Sequence, residues 1–404
     1  MNCIFLSKDI LKRRSGYSER VLSSFRAISA GLERGKDTLR LVTIEAEPST
    51  VVDGLVPDKS DLIQLVCRNF RLYYNFQDII ALVKLFKYLR TNKTDLIHAH
   101  GVDCGFLAIL LKLFFNFKVI VDIHGAPSAE FLYWWGKKKR LQYGLTRFKE
   151  SICCRYADEL FVVSYALKDY ISKQYSAGAT MTVINCAVDT AIFRKLNVVP
   201  GEQRKLLGLP EKGLIFIYSG SSQKWQMLPE TVKLFKTARS RSRDAFFVAC
   251  LNSGKTDLEK IFESNGIDRD CYLIVEKLSK QELVRYLNAS DIGIIIRDSS
   301  IVNLVAFPTK FLEYLAAGLP VIVTDGLGDP SRIVIENGLG LVLAVSNLTN
   351  NSYLKREFDS FFNKLAQPFY LTAVKERCVS YASANTWKLF SIRCIERYKA
   401  VLDT

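Results

Sequence analysis

Histidine is scarce in this chain, and its cysteines lack the spacing of a metal site or a disulfide framework. Only three histidines occur in 404 residues, and none stands with cysteines at metal-ligand spacing, so no zinc site is expected. The ten cysteines include no Cys-x-x-Cys pair. We therefore expect reduced thiols in a reducing compartment and no metal cofactor.

Long apolar runs are also missing. The longest extends from Phe106 to Gly125, and Lys112, Asn116 and Lys118 interrupt it with groups that are costly near the middle of a bilayer. This run predicts a helix followed by a buried strand. The N-terminal MNCIFLSKDILKRR places its apolar stretch before a basic cluster and is too short for a signal peptide. These features predict a cytoplasmic protein.

Acidic residues are outnumbered by basic ones, which gives the chain a net charge of +15. Residues 1–200 hold 29 Lys and Arg against 19 Asp and Glu, and Arg68–Arg90 and Glu130–Lys149 interleave basic with aromatic side chains. An anionic membrane surface is the partner that we favour for these two segments. Two alternatives stay open: solvated faces over aromatic cores, and a nucleic acid, for which no recognised binding motif is present.

The composition is that of a large packed α/β protein. Hydrophobic residues make up 49% and charged residues 24%, and 404 residues exceed what one core usually supports. Strand-like segments alternate with helical patterns in two series, separated by a linker at Phe193–Gly213. We expect two doubly wound parallel sheets with ligands at the carboxyl ends of their strands. The predicted strands are Asn2–Leu6, Leu39–Ile44, Asp95–His100, Lys118–His124, Glu159–Ser164, Met181–Asn185, Leu214–Gly220, Ala245–Leu251, Tyr272–Glu276, Ile292–Ile296, Leu319–Thr324 and Leu339–Ala344.

The segment Phe307–Thr324, FPTKFLEYLAAGLPVIVT, has the pattern of a helix, a tight glycine turn and a buried strand. Pro308 suits the helix start, and Thr309 can cap it. The backbone amides near Thr309, Lys310 and Phe311 would then be unpaired, and a phosphate fits in front of them.

A carboxylate follows in the same predicted helix. Glu313 can accept two hydrogen bonds from a ribose diol beside that phosphate. Any helix and strand joined by a glycine turn show the same spacing, so the residues alone leave both interpretations open. The words PTKFLEYLAAGLPVI closely resemble the donor-site segment of retaining, family 4-type glycosyltransferases. The resemblance implies the GT-B fold, an α/β architecture of two Rossmann-like doubly wound domains facing a central cleft, with Glu313 on the ribose and the helix start on the diphosphate.

All three histidines lie within 27 residues, at or beside the ends of two predicted strands. His100 ends one strand and His124 the next, while His98 lies on the same side of the pleat as His100. A lone histidine is more often structural, but one at a strand end can hydrogen-bond a ligand near neutral pH. DLIHAHG and VDIHG resemble segments of the same transferases, which implies that His124 lies against the transferred sugar. We name His124 as the first catalytic candidate and His100 as the second.

The resemblance extends over most of the chain. VINCAVDTAIFRK and IYSGSSQKWQMLPETVKLF are similar to further segments of the family, and the second of them opens its second domain with a strand, a glycine loop and a helix. The resemblance implies an acceptor-side domain at residues 1–195, a nucleotide-sugar-binding domain at 196–380 and a helix at 381–404 that crosses back to the first domain. Gly220 of the glycine loop and Gly16, which remains from a Gly-Gly turn, would lie beside the donor.

Two departures from the family pattern affect donor contacts. Val305 stands eight residues before Glu313, where many relatives have a sugar-binding Glu. Ser221 stands where the family usually has an Arg, which leaves Lys224 and Lys310 as the diphosphate cations. Either lysine can act as a point charge but lacks the bidentate fork of arginine.

The features together predict transfer of a sugar from a nucleotide-diphospho-sugar to a hydroxyl of a saccharide or lipid-linked acceptor, with retention and without a cofactor. Cell-surface polysaccharide or O-antigen synthesis at the inner face of the membrane is the expected setting, and no nucleic acid is expected. Two alternatives stay open. One is a nucleotide-sugar epimerase on the same fold, and the other is a non-catalytic membrane or scaffold protein with a decayed site.

Overall fold

The computed structural model describes the chain except residues 12–15, 34, 49–60, 68–73, 177, 195 and 197–199, and the side chains of 74–77 and 137 also lie outside the description. The chain divides into two compact units. Unit 1 comprises Met1–Cys186 and Trp387–Thr404, and unit 2 comprises Ala187–Thr386. These divisions lie beside the boundaries predicted after residues 195 and 380.

Unit 1 is built on a seven-stranded parallel sheet. Its strands are β1 (Asn2–Lys8), β2 (Thr38–Glu45), β3 (Leu62–Val66), β4 (Leu96–His100), β5 (Lys118–Ile123), β6 (Glu159–Val162) and β7 (Thr180–Val183). They are arranged in the order β3-β2-β1-β4-β5-β6-β7, which places β1, β4 and β5 in the middle. These three strands are buried along nearly their whole length, as in a parallel sheet covered on both faces.

Helices follow most strands of unit 1, and the last helix of the chain returns to it. They are α1 (Gly16–Gly31), α2 (Tyr74–Thr91), α3 (Gly101–Leu111), α4 (Pro127–Trp135), α5 (Arg140–Tyr156), α6 (Tyr165–Gln174) and, from the C-terminal segment, α16 (Trp387–Leu402). In α16, Tyr398 is fully buried, and Arg397 Nε lies 2.8 Å from Glu159 Oε1 of β6. An apolar face and an ion pair therefore hold α16 on unit 1.

Unit 2 is built on a six-stranded parallel sheet with the order β10-β9-β8-β11-β12-β13. Its strands are β8 (Ile215–Gly220), β9 (Phe246–Leu251), β10 (Tyr272–Glu276), β11 (Ile292–Ile295), β12 (Val321–Thr324) and β13 (Gly340–Leu343). Its helices are α7 (Pro200–Leu206), α8 (Leu228–Arg239), α9 (Lys255–Ser264), α10 (Lys280–Ala289), α11 (Ile301–Leu304), α12 (Thr309–Ala316), α13 (Asp329–Asn337), α14 (Asn351–Leu365) and α15 (Pro368–Ser383).

The packing of α12 on this sheet depends on a glycine. A Cβ at Gly293 of β11 would lie 2.3 Å from the ring of Tyr314, so only glycine lets this tyrosine lie against the strand. The Tyr314 hydroxyl then accepts a hydrogen bond from the Ser219 amide at 2.7 Å. The sequence of β11 thus fixes the distance between α12 and the end of β8.

The predicted fold class, α/β with two Rossmann-like doubly wound domains, is confirmed by the two parallel sheets. The twelve predicted strands are all present, with ends displaced by no more than two residues. Strand β3 was missed because it is a short edge strand with Gln64 in its middle. Among the described helices, none is both long enough and apolar enough to cross a membrane.

Candidate functional site

In unit 1 the carboxyl ends of β4 and β5 bring the three histidines together around Asp122. The two strands pair in parallel, with His100 opposite Asp122. Asp122 Oδ2 lies 3.9 Å from His98 Nε2, 3.5 Å from His100 Nδ1 and 3.3 Å from His124 Nε2. His100 Nδ1 and His124 Nε2 form a hydrogen bond of 3.1 Å. The two catalytic candidates therefore belong to one cluster.

Asp122 is a residue of this cluster that sequence reasoning missed. The Arg20 guanidinium of α1 lies 3.6 Å from Asp122 Oδ2, and its Nη1 donates to Cys186 Sγ at 2.7 Å. Burial acts to raise the pKa of the Asp122 carboxyl, but His124 and Arg20 outweigh it and hold that pKa well below its usual range. Asp122 is thus an anion at neutral pH. The segment VDIHG could have indicated Asp122, because an acidic residue in a buried strand needs a partner.

The histidines differ in exposure, which separates a structural residue from a residue that can meet a ligand. The side chains of His98 and His100 are 0% exposed, whereas that of His124 is 15% exposed. The Tyr398 hydroxyl hydrogen-bonds His98 Nδ1. Burial lowers the pKa of His98 to about 4 and also lowers the pKa values of His100 and His124. The three rings are therefore neutral at pH 7, and His124 has the greatest access to solvent.

Part of this cluster also has the atoms of a metal site, which the spacing along the chain had not indicated. Ligand atoms of His98, His100 and Asp122 all lie within 4.8 Å of one another. However, Arg20 already supplies the positive charge that the buried carboxylate needs, and it repels a further cation.

Gly16 is the first residue of α1 and lies one residue before a contact to the histidine cluster. The Tyr17 hydroxyl donates to the His100 carbonyl at 3.2 Å, and the Tyr17 ring packs edge-on against His124. A Cβ at Gly16 would have no atom within 4 Å among the described residues. Packing of the described part of the chain therefore does not require glycine here, and its role beside the donor stays a prediction.

In unit 2 the predicted phosphate-binding helix start is the start of α12. Pro308 occupies the N-cap position and no side chain caps the helix, so the expectation that Thr309 caps it is wrong. The Phe311 amide donates to the Pro308 carbonyl at 3.1 Å, which corrects the expectation that it is unpaired. Among the described residues, none accepts a hydrogen bond from the amide of Thr309 or Lys310. Two amides, rather than three, can therefore meet an anion.

Lys310 is buried near the end of β8, where the glycine loop begins. Its Nζ donates to Gln226 Oε1 at 2.9 Å and lies 4.1 Å from the centre of the Tyr218 ring. Burial and the nearby Arg297 guanidinium lower the pKa of Lys310 well below its usual value. A Cβ at Gly220 would lie 2.9 Å from this Nζ, so Gly220 makes room for the lysine.

The other predicted diphosphate cation, Lys224, is exposed on a single 3-10 turn, Lys224–Gln226. Just before this turn, Ser221 Oγ accepts a hydrogen bond from Gln226 Nε2 at 3.4 Å, and the Ser221 carbonyl accepts one from the Tyr218 hydroxyl at 2.6 Å. The position where the resemblance expects an arginine is thus filled by a serine that contacts the same glutamine as Lys310.

Arg297 is a buried cation of this site that sequence reasoning missed. It lies two residues after β11 and is 6% exposed. Its Nη1 donates to the Trp225 carbonyl at 3.1 Å and to Asn303 Oδ1 at 3.3 Å. Its backbone amide donates to Thr324 Oγ1 at 2.8 Å. A charged residue directly after the apolar strand IGIII was visible in the sequence, but no recognised motif contained it.

Two further positions in this region, Glu313 and Val305, are the subject of predictions from the sequence. Glu313 is half-buried, one turn from the start of α12, and its charge acts to raise the pKa of Lys310. Its carboxylate therefore lies within electrostatic reach of the lysine. Val305, which replaces the sugar-binding Glu of many relatives, is completely buried and offers no surface to a sugar.

The predicted basic aromatic segment Glu130–Lys149 presents a partly apolar surface in unit 1. Its exposed large apolar residues are Leu132, Trp134, Trp135, Leu141 and Phe148. Lys138 and Arg140 are exposed among them, and Lys139 Nζ lies 3.6 Å from the centre of the Trp135 ring. In the second segment, Arg68–Arg90, residues 68–73 lie outside the described part of the chain.

Two family models match the chain, one in each half. The model described as Glycosyltransferase Family 4 matches residues 26–192, and the model described as Glycosyl transferases group 1 matches residues 201–359. A curated relative from Escherichia coli, UDP-Gal:alpha-D-GlcNAc-diphosphoundecaprenol alpha-1,3-galactosyltransferase, is 23% identical over 333 residues, covering 81% of this chain and 76% of the relative.

Solved structures with the same architecture cover the whole chain. Sucrose-phosphate synthase from Thermosynechococcus elongatus superposes with a TM-score of 0.79 at 15% identity, covering 100% of both chains. HepE from Anabaena, solved with UDP-glucose, superposes with a TM-score of 0.73 at 12% identity, covering 99% of this chain and 100% of HepE. At these identities the two structures establish a shared fold.

Proposed function

The chain belongs to the GT-B glycosyltransferases, and we propose that it moves a sugar from a nucleotide-diphospho-sugar to a hydroxyl acceptor with retention of the anomeric configuration. The observation that supports this donor best is the start of α12. Two amides without a described acceptor and the Lys310 side chain lie there, and Glu313 follows one turn later. A diphosphate suits the first set of groups, and a ribose diol suits the carboxylate.

The main chemical demand of this reaction is the charge left on the departing nucleoside diphosphate. We propose that the positive end of α12 and Lys310 offset that charge, so that no metal ion is needed. An anion beside Lys310 also favours its protonated form, against the effect of burial. Gly220 supports this role because a side chain there would displace the lysine.

His124 is the proposed hydrogen-bonding partner of the transferred sugar. Its ring is neutral and partly exposed, so it can donate to or accept from a sugar hydroxyl without adding charge. Asp122 and His100 hold the ring from its buried side. The neutral ring and the buried anion behind it suit an uncharged sugar.

We propose a lipid-linked acceptor in cell-surface glycan synthesis. The name of the E. coli relative specifies a diphosphoundecaprenol-linked acceptor. The exposed tryptophans and basic residues of Glu130–Lys149 suit an anionic membrane surface, so we propose that the chain works peripherally at the inner face of the membrane. A UDP-sugar is the first donor to test, because HepE was solved with UDP-glucose.

A thermal-shift screen tests this function. The purified protein is heated with UDP, GDP, ADP and CMP and with their sugar conjugates, each with and without EDTA, because a ligand that binds only the folded state raises Tm. We expect one nucleoside diphosphate to raise Tm equally with and without EDTA. A response that EDTA removes contradicts the metal-free proposal, and no response to any nucleotide favours a decayed, non-catalytic site.

Turnover then separates transfer from epimerisation. The selected nucleotide-sugar is incubated with a lipid-linked saccharide acceptor, and the product is examined by NMR. We expect a new glycosidic linkage with the anomeric configuration of the donor. Conversion of the donor sugar without any acceptor would instead identify an epimerase.

A further inference from the structure

The turn Lys224–Gln226 holds two buried cationic side chains from different parts of unit 2. The Trp225 carbonyl accepts from Arg297 Nη1 at 3.1 Å, and the neighbouring Gln226 Oε1 accepts from Lys310 Nζ at 2.9 Å. Since Trp225 and Gln226 are consecutive, the guanidinium and the ammonium lie close together, and Arg297 is near enough to lower the pKa of Lys310. One short turn therefore brings together two basic side chains.

Two basic side chains that lie together in the interior repel each other when both are protonated. Arg297 is 6% exposed and Lys310 is 7% exposed, so water screens neither of them well. Among the described residues, no carboxylate oxygen lies within 4 Å of Lys310 Nζ; Gln226, a neutral amide, is its hydrogen-bond acceptor. An anion bound between the two side chains would remove their repulsion and would gain two charge-assisted hydrogen bonds.

Arg297 and Lys310 also lie at the edge of the sheet where a ligand is expected. Strands β8, β11 and β12 are neighbours in unit 2. Gly220 is the last residue of β8, Arg297 lies two residues after β11, and Lys310 lies in α12, the helix before β12. Ligands of doubly wound parallel sheets bind at that edge. The amides of Thr309 and Lys310 lie at the same place, so the two cations and the helix start can share one anion.

We propose that Arg297 and Lys310 form the cation pair that binds the diphosphate of the donor, with Arg297 replacing the arginine that the family resemblance expects at Ser221. This inference rests on the proposed function, because it assigns residues to the same donor. Arg297 brings the planar fork that Lys224 and Lys310 lack, and the hydrogen bonds to Trp225 and Asn303 hold that fork in a fixed orientation. Lys224, which is exposed on the outside of the turn, has no necessary part in it.

Isothermal titration with UDP and with uridine tests the pair. The wild-type chain, Arg297→Gln and the control Arg285→Gln are compared; Arg285 is an exposed arginine of the same unit, on α10. We expect Arg297→Gln to weaken UDP binding about ten- to hundredfold, the size of one or two charge-assisted hydrogen bonds. Uridine affinity should stay within about twofold in both variants, because uridine carries no phosphate and its binding site is untouched.

The uridine comparison separates a lost phosphate contact from a damaged fold. An Arg297→Gln protein that loses UDP and uridine affinity equally, or loses neither, overturns the proposed role of Arg297. If that variant does not fold, Arg297→Lys is compared in its place, since it keeps the charge and loses the planar fork. We expect it to weaken UDP binding by an intermediate amount and to leave uridine binding unchanged. A wild-type chain that binds no nucleoside diphosphate at all refutes the proposed function itself, which is a different result.

Discussion

The two units both place buried charges at the carboxyl ends of central strands, but they balance those charges differently. In unit 1 the Asp122 carboxylate is matched by the Arg20 guanidinium, and the histidines around it are neutral. In unit 2 the basic side chains of Arg297 and Lys310 lie together, and the bond from Lys310 Nζ goes to a neutral amide. The Asp122 cluster therefore contains its own counter-charge, whereas the anion that we propose for unit 2 would reduce the repulsion between Arg297 and Lys310.

This difference indicates what each cluster is suited to bind. A balanced cluster with a neutral histidine at its surface can hydrogen-bond an uncharged sugar without a large electrostatic cost. Two basic side chains that lie together in the interior suit an anion better than a neutral group, because an anion attracts both of them. This difference supports the proposal that the sugar lies at the histidine cluster and the diphosphate at Lys310 and Arg297.

Breaking the balance in unit 1 should have the largest effect on stability. Asp122→Asn leaves Arg20 buried without its counter-charge, and we expect a loss of about 3–5 kcal/mol of unfolding free energy. Urea denaturation followed by the tryptophans measures it, with the exposed Asp169→Asn as the control in the same unit. Equal stability of the two variants would show that Asp122 and Arg20 are not energetically coupled.

Removing the ring at the surface of the histidine cluster should affect chemistry more than donor binding. We expect His124→Ala to lower kcat on the order of a hundredfold, as for one lost hydrogen bond in the transition state, with little change in nucleotide Kd. His124→Gln, which keeps a donor and an acceptor, should recover part of the rate. Full activity of His124→Ala removes this residue from the site.

The carboxylate in α12 distinguishes ribose recognition from phosphate recognition. Glu313→Ala should weaken binding of both a nucleoside and its diphosphate by about 2–3 kcal/mol, because two charge-assisted hydrogen bonds to the ribose are lost. Titration calorimetry measures both ligands, and Glu336→Ala, at an exposed position of α13, serves as the control. Unchanged affinity in a folded Glu313→Ala protein is incompatible with the ribose assignment.

Acid should destabilise the chain through its buried histidines. The folded-state pKa of His98 is about 4, below the value near 6.5 of an unfolded histidine, so the unfolded chain binds more protons between these two pH values. Stability from this residue is therefore present above pH 6.5 and is lost as the pH falls toward 4, by on the order of 2 kcal/mol at pH 5. Urea midpoints at pH 7.5 and pH 5 measure this, and His98→Gln should reduce the difference.

Substitutions on the surface of Glu130–Lys149 should have the smallest effect, which is a change in membrane binding. Lys138→Gln and Lys139→Gln should each lower binding to phosphatidylserine vesicles about fivefold at low salt, since each basic residue near an anionic surface adds a modest attraction. Co-sedimentation measures it, with Lys255→Gln and Lys260→Gln in unit 2 as controls and phosphatidylcholine vesicles as the neutral surface. Vesicle binding that depends on neither lipid charge nor salt concentration supports the alternative of a solvated face.

Local patterns were sufficient for most of the fold. Buried parallel strands have nearly continuous apolar sequences, so LIHAH, VIVDI and IGII were found from the sequence. The short edge strand Leu62–Val66 was not found. The helix start at Pro308 was found from the preference of proline for that position. Its hydrogen bonds were not found, because whether Thr309 caps the helix and whether the Phe311 amide is paired depend on backbone angles.

The candidate site was only half visible because its partners are distant in sequence. Arg20 reaches Asp122 across 102 positions, and Arg297 and Lys310 meet at a turn more than 70 residues before either of them. No periodicity records such contacts. The burial of Lys310 was also hidden, because a lysine in the first turn of a helix is usually exposed.

The return of α16 to unit 1 has a consequence for the order in which the protein matures during synthesis. Residues 387–404 leave the ribosome after all of unit 2, yet Tyr398 is the group that holds His98, and Arg397 pairs with Glu159. A nascent chain stopped at Thr386 contains every residue of unit 2 but an unfinished unit 1. The proposed donor site of unit 2 can thus form on the ribosome before the histidine cluster is complete, so donor binding would be acquired before the proposed transfer of the sugar.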